Sequence, residues 1–185
     1  MFVLIMSSLL LLSNQILFAE NHKSEDKMEE KKYSESEFHH KFAVELNGFV
    51  WSLLEKEQRT AEDDDMMIHA AHASHYHWSK IGTELNLQRG HWLLSRVYVV
   101  LNRPQAALYH AEKCLEITRK NGYEDFDLAY SYEAMARAYA ASQNEEKWSY
   151  FSKLAKEAGE KIKEKEDKEY FLNDLQSEPW FGFGK

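Results

Sequence analysis

From Ser34 onward, large apolar residues recur every three or four positions, the period of one face of a helix. Phe38, Phe42, Leu46, Phe49 and Leu53 mark the first such face and predict a helix over residues 35–57. Ser34 and Glu37 stand three apart at its start, the spacing of a capping box. Thr60, followed by Glu62, Asp63, Asp64 and Asp65, opens a second helix, because carboxylates are stabilised by the partial positive charge of a helix N-terminus. That helix runs to Ile81, with Gly82 as its stop. Its Ala70, Ala71, Ala73 and Ser74 are small enough to let a neighbouring helix approach closely. A third helix, over 86–101, turns Leu94, Val97, Tyr98 and Leu101 inward. Asn102-Arg103 then forms a tight turn before Pro104, which a first helical turn tolerates. The fourth helix ends at Asn121-Gly122, the fifth covers 126–142, and Gln143-Asn144 turns into a sixth over 145–164. A short last helix carries Tyr170, Phe171, Leu172 and Leu175 and stops before Pro179. Gly48, Gly90 and Gly159 fall inside these helices, where they mark close helix contacts or misplaced boundaries.

Composition narrows the class. Only 7 Gly and 2 Pro occur in 185 residues, about 5% against the usual 12% or so. A sandwich or barrel needs more turn formers than that, so the chain reads as all-α. The apolar share of 44% suffices for one core, and a net charge of -8 excludes wholesale nucleic-acid binding. The single Cys114 excludes an internal disulfide framework, and its place among small residues predicts packing rather than reactivity. Phe2 to Leu12 has the length of a signal-peptide core and Ala19 offers a cleavage position, so residues 1–19 read as a signal peptide of a periplasmic or secreted protein. The alternative is a cytoplasmic chain starting at Met28. Residues 20–34 read as a flexible charged leader, residues 35–178 as the helical domain, and 179–185 as an aromatic tail. No stable membrane span is expected once the signal is removed.

Short turns between helices of about five turns predict antiparallel hairpins. Within Trp92 to Ile117, Leu94-Ser95, Tyr98, the Asn102-Arg103 turn, Ala107-Leu108 and the run Glu112 to Ile117 resemble the tetratricopeptide repeat. Cys114 and Ala111 depart from that pattern. A second copy comprises Tyr132, Met135-Ala136, Tyr139, the Gln143-Asn144 turn and Ala155, with Trp148 where a small residue is usual. Tyr98 and Tyr139 stand 41 residues apart, longer than the standard period of about 34. The resemblance implies a right-handed superhelix of about three hairpins plus a C-terminal capping helix, since stacked repeats cannot bury their faces singly.

In that family function lies on the concave face lined by the first helix of each hairpin. The groove positions carry over to Arg89, Trp92 and Arg96 on the third helix and Tyr130, Glu133 and Arg137 on the fifth. Each set also has i, i+3, i+7 spacing and so forms one stripe. Guanidinium forks beside aromatic rings suit a carboxylate, so the expected function is noncatalytic binding of a protein, a peptide or an anionic ligand, with no cofactor. The competing reading pairs these arginines with Glu45, Glu133 or Asp127 and makes them structural. A scaffold that dimerises through its terminal hairpins is a further alternative.

His69, His72, His75 and His77 crowd the second helix. Asp65, His69 and His72 lie at i, i+4 and i+7 and could present two imidazoles and a carboxylate to a metal, which makes a metal-binding protein or metal-dependent enzyme the alternative function. His75 and His77 point elsewhere, and the spacing does not fit the H-E-x-x-H pattern. The plainer reading has His69 and His72 bonded to neighbouring helices and His75 exposed. No phosphate loop or nucleophile elbow occurs. Lys161 to Lys168 alternates in charge, as on a solvated helix face. Trp180-Phe181-Gly182-Phe183 is apolar enough to cover the last hairpin or to dock on a partner.

Overall fold

The computed structural model describes residues 32–183. The signal peptide assigned to 1–19, the Met28 start and nearly all of the leader lie outside the described residues. Seven helices follow one another: α1 (Glu35–Leu54), α2 (Ala61–Ile81), α3 (Glu84–Val100), α4 (Pro104–Asn121), α5 (Asp125–Ala141), α6 (Glu145–Gly159) and α7 (Lys165–Gln176). Among the described residues there is no strand and no helix long and apolar enough to cross a membrane.

Local chemistry sets most of the helix ends. Ser34 and Glu37 close the expected capping box on α1, and Thr60 and Asp63 form another on α2. Thr83 donates both its backbone N–H and its hydroxyl to Asn86 Oδ1 at the start of α3, two residues ahead of the expected boundary. Pro104 occupies the first turn of α4, and Gly122 closes that helix in the left-handed region with φ 65°. Asn102 and Gln143 take the same left-handed conformation in the turns after α3 and α5. Each turn is then locked alike: Arg103 N donates to Tyr98 O at 2.8 Å and Asn144 N to Tyr139 O at 3.0 Å.

Two helix ends fall three or more residues short of expectation. α1 ends at Leu54 rather than 57, where the apolar period gives way to Lys56 and Arg59, which pair with Asp63 and Asp64 of α2. α6 ends at Gly159 rather than 164, because the chain bends to bury Ile162 and Lys163 N bonds to Asp125 Oδ1.

Each helix packs on its neighbours in sequence, α3 also packs on α5, and α7 packs on α5 and α6. Three apolar clusters result. Val50, Leu53, Met67, Ala70, Ala71 and Leu94 join α1, α2 and α3. Val99, Ala107, Ala111, Met135, Ala138 and Phe151 join α3 to α6, and Trp180 belongs to this cluster. Ala129, Tyr130, Ala155, Ile162 and Phe171 join α5, α6 and α7. Trp92 packs against all three.

The helical glycines sort by what they face. A Cβ at Gly90 would collide with His75 of α2, and one at Gly159 would collide with the ring of Phe171 of α7, so both mark close helix contacts. Gly48 faces open space.

Candidate functional site

The six stripe residues do come together, and most of their polar capacity is already used. Arg89 holds Asp127 with both arms of its fork, Nε to Oδ1 at 2.8 Å and Nη2 to Oδ2 at 3.1 Å. Glu133, only 1% exposed, accepts from Trp92 Nε1 at 3.1 Å, from Arg96 Nη1 at 2.9 Å and from Arg137 Nε. Asp127 and Glu133 are thus the acceptors, as the structural reading of the arginines anticipates. Glu45 instead lies near Lys41 on its own helix.

Further partners come from the C-terminal segment. Arg96 Nη2 donates to Asp174 Oδ1 at 2.8 Å. Arg137 donates to the backbone carbonyls of Asp174, Ser177 and Pro179 at 2.7, 3.0 and 3.3 Å, and its guanidinium lies 4.1 Å from the Trp180 ring centroid. Phe183 stacks on Trp148 at 4.8 Å, so the bulky residue at a usually small position receives the tail. Residues 174–183 therefore cover the inner half of the stripe, and Arg137, 1% exposed, lies beneath them.

The outer half stays open. A cavity of about 260 Å³ is lined by Asn47 and Trp51 of α1, Gln88, Arg89 and Trp92 of α3, Phe126, Asp127 and Tyr130 of α5, and Tyr170 of α7. Its walls are mainly aromatic: the centroids of Trp51 and Trp92 are 5.9 Å apart, Trp92 and Tyr130 5.1 Å, and Phe126 and Tyr130 4.6 Å. Two polar atoms of its lining residues, Gln88 Oε1 and Tyr130 Oη, are buried without a hydrogen-bond partner among the described residues. Gln88 is fixed through its amide nitrogen, which donates to Thr118 Oγ1 at 3.1 Å and to Asp127 O at 3.2 Å. Burial, with Asp174 and Glu133 nearby, pushes the Tyr130 hydroxyl above its usual range, so it stays protonated. Trp51, Gln88 and Asp174 were not singled out by sequence reasoning. Trp51 lies outside the apolar set read for α1, and Asp174 lies on another helix.

The histidines arrange differently from the expected triad. Asp65 and His69 are exposed, while His72 Nε2 bonds to Tyr98 Oη at 2.8 Å, the neighbour-helix role of the plainer reading. Among the described residues no group of three or more His, Cys, Asp or Glu side chains could hold a metal ion. His77 pairs with His39 of α1, Nδ1 to Nδ1 at 2.8 Å. A chain of rings links α2, α3 and α4: His75 and His91 have centroids 4.4 Å apart, His91 Nδ1 meets His110 Nδ1 at 3.0 Å, and His110 stacks on Tyr98. Burial, reinforced by the neighbouring imidazoles, lowers His91 to about 4 and His110 to about 3, so both are neutral near pH 7. His91 and His110 are single histidines on separate helices, with no local pattern to announce them. Cys114 is buried and burial pushes its thiol upward, away from the nucleophilic thiolate.

No family model matches the chain, and no curated protein or solved structure does so either.

Proposed function

We propose that the chain is a noncatalytic binding module: a tetratricopeptide-like array of three antiparallel hairpins closed by α7, which takes its ligand in the cavity beside Arg89, Trp92 and Tyr130. The observation that carries this reading is that every lining residue comes from α1, α3, α5 or α7. In a hairpin array these alternate helices form the concave face. The matching locks on the turns after Tyr98 and Tyr139 support the pairing of the two repeats. Arg96, Glu133 and Arg137 belong to the framework in this reading, because their charges are met by one another and by residues 174–179. The ligand-facing set becomes Trp51, Arg89, Trp92, Tyr130 and Tyr170.

The test is to label the tryptophans of the full chain with fluorine and titrate three small probes: benzoate, benzyl alcohol and agmatine. Binding of at least one at millimolar concentration or below, shifting the Trp51 and Trp92 signals but not Trp78 and weakened by Tyr170→Ala, is the expected result. If no probe moves Trp51 or Trp92, the cavity is not a binding site.

A further inference from the structure

The inner half of the stripe already holds a peptide, the chain's own. Residues 177–183 form no helix, so their contacts with the helices keep them in place. α5 and the turn after it take hold of the main chain: Arg137 Nη1 donates to Ser177 O at 3.0 Å and to Pro179 O at 3.3 Å, and Gln143 Nε2 donates to Phe181 O at 3.4 Å. The carbonyls of three alternate residues are thus met from one side. Two rings add anchors, Trp180 over the Arg137 guanidinium and Phe183 on Trp148 of α6. Separate peptides are bound in the same manner, with affinity from main-chain bonds and specificity from side-chain pockets.

The segment itself is loosely attached. Trp180 is its only buried residue, and Phe181 takes left-handed backbone with φ 53°, which a bulky side chain adopts at a cost. A cavity of about 470 Å³ opens beside it, lined among others by Trp148, Ser152 and Lys156 of α6 and by Glu178, Trp180 and Phe183 of the segment. The surface beneath is firmer. Arg137 is fixed by Glu133, which also accepts from Trp92 and Arg96, so the principal donor keeps its place without the segment, and such preorganisation favours binding.

We propose that residues 177–183 are an exchangeable strap, and that the surface beneath them binds a partner peptide of the same chemistry, with backbone carbonyls on Arg137 and aromatic side chains in the places of Trp180 and Phe183. A separate peptide fits better than a second copy. The segment follows α7 directly, and α7 packs on α5 and α6, so a second copy would have to bring its C-terminal helix along. Being tethered, the strap competes at high effective concentration and closes the site to weaker ligands. The site is separate from the cavity beside Arg89, and the inference does not rest on ligand binding there.

The experiment is fluorescence anisotropy of a labelled synthetic peptide of residues 177–183 against the full chain and its Trp180→Ala variant, with circular dichroism as the check on folding. The peptide should bind Trp180→Ala at least tenfold more tightly than the parent, whose own strap must first leave. A peptide that itself carries Trp180→Ala should bind neither protein. With fluorinated tryptophans, the variant bound to peptide should show a shifted Trp148 signal and an unmoved Trp51 signal, which separates this site from the cavity. Where Trp180→Ala loses stability, saturating peptide should raise its urea midpoint and leave that of the parent unchanged. A peptide that neither binds the variant nor raises its midpoint overturns the proposal, and so does equal affinity for variant and parent. Dimerisation of the parent that grows with concentration and is abolished by Trp180→Ala would overturn the choice of a separate partner and give the surface to a second copy.

Discussion

Glu133 is the residue on which the interior charges depend. Two guanidinia, that of the partly buried Arg96 and that of the buried Arg137, meet at one of its oxygens, and Asp174 is the second carboxylate of the set. Removing one partner of a buried ion pair strands the other, at a cost of about 3–5 kcal/mol. Glu133→Ala should therefore lower the urea midpoint by that amount of stability. Arg89 offers the contrast: its side chain is 56% exposed, and such pairs are worth at most about 1 kcal/mol. Arg89→Ala should move the midpoint little, and equal losses in the two variants would contradict this division of roles. The stripe itself was legible, because Arg89, Trp92 and Arg96 repeat with helical spacing. Its acceptors on α5 were legible as alternatives. Asp174 was not, since nothing in the local pattern around it refers to an arginine 78 positions earlier.

At the scale of elements, α7 is the piece with the smallest buried content. Phe171 is the only one of its residues that is fully buried, and its ring sits where a side chain at Gly159 would be. Phe171→Ala should cost about 3–5 kcal/mol, the usual range for emptying a buried aromatic site. Gly159→Ala should cost about 1–3 kcal/mol by overpacking. Because both act through one contact, the two losses should not add, and Gly159→Ala should be nearly free of cost in the Phe171→Ala background. Chemical denaturation of the four proteins reads this directly, and additive losses would mean that the ring does not depend on the glycine. Helix starts were legible at Ser34 and Thr60, whose side chains cap α1 and α2, but not at Thr83, which begins α3 two residues before the expected boundary. The end of α6 was not, because Ile162 leaves the helix for a tertiary contact, and the run Lys161 to Lys168 gives no period to mark the break.

For the whole molecule, the chain of imidazoles sets a pH dependence. His91 and His110 titrate near 6.5 when unfolded and at about 4 and about 3 when folded. Their folded pKa values are lowered, so the unfolded chain binds protons first as pH falls. The stability they permit is complete above about pH 6.5 and declines below it, down to the folded values. The groups around them are His72, His75, Lys113 and Glu116, with Tyr98 and Tyr109 stacked or edge-on against His110. Acidification from pH 7 to 5 should cost about 1 kcal/mol per histidine after solvent screening. His91→Gln and His110→Gln together should flatten the slope in urea titrations; an unchanged slope would place the pH response elsewhere.

Repeat proteins that touch only their neighbours behave as linear chains of units, and their ends fray before their middles. Trp92 works against that behaviour, because one side chain is shared by all three apolar clusters. Loosening α1 exposes a ring on which α5 and α7 also depend, and loosening α7 does the same to α1. Unfolding should accordingly be all-or-none, with far-ultraviolet circular dichroism, tryptophan emission and amide exchange of α1 and α7 reporting one midpoint. A Trp92→Leu variant, which keeps the site apolar but reaches fewer neighbours, should let those midpoints separate.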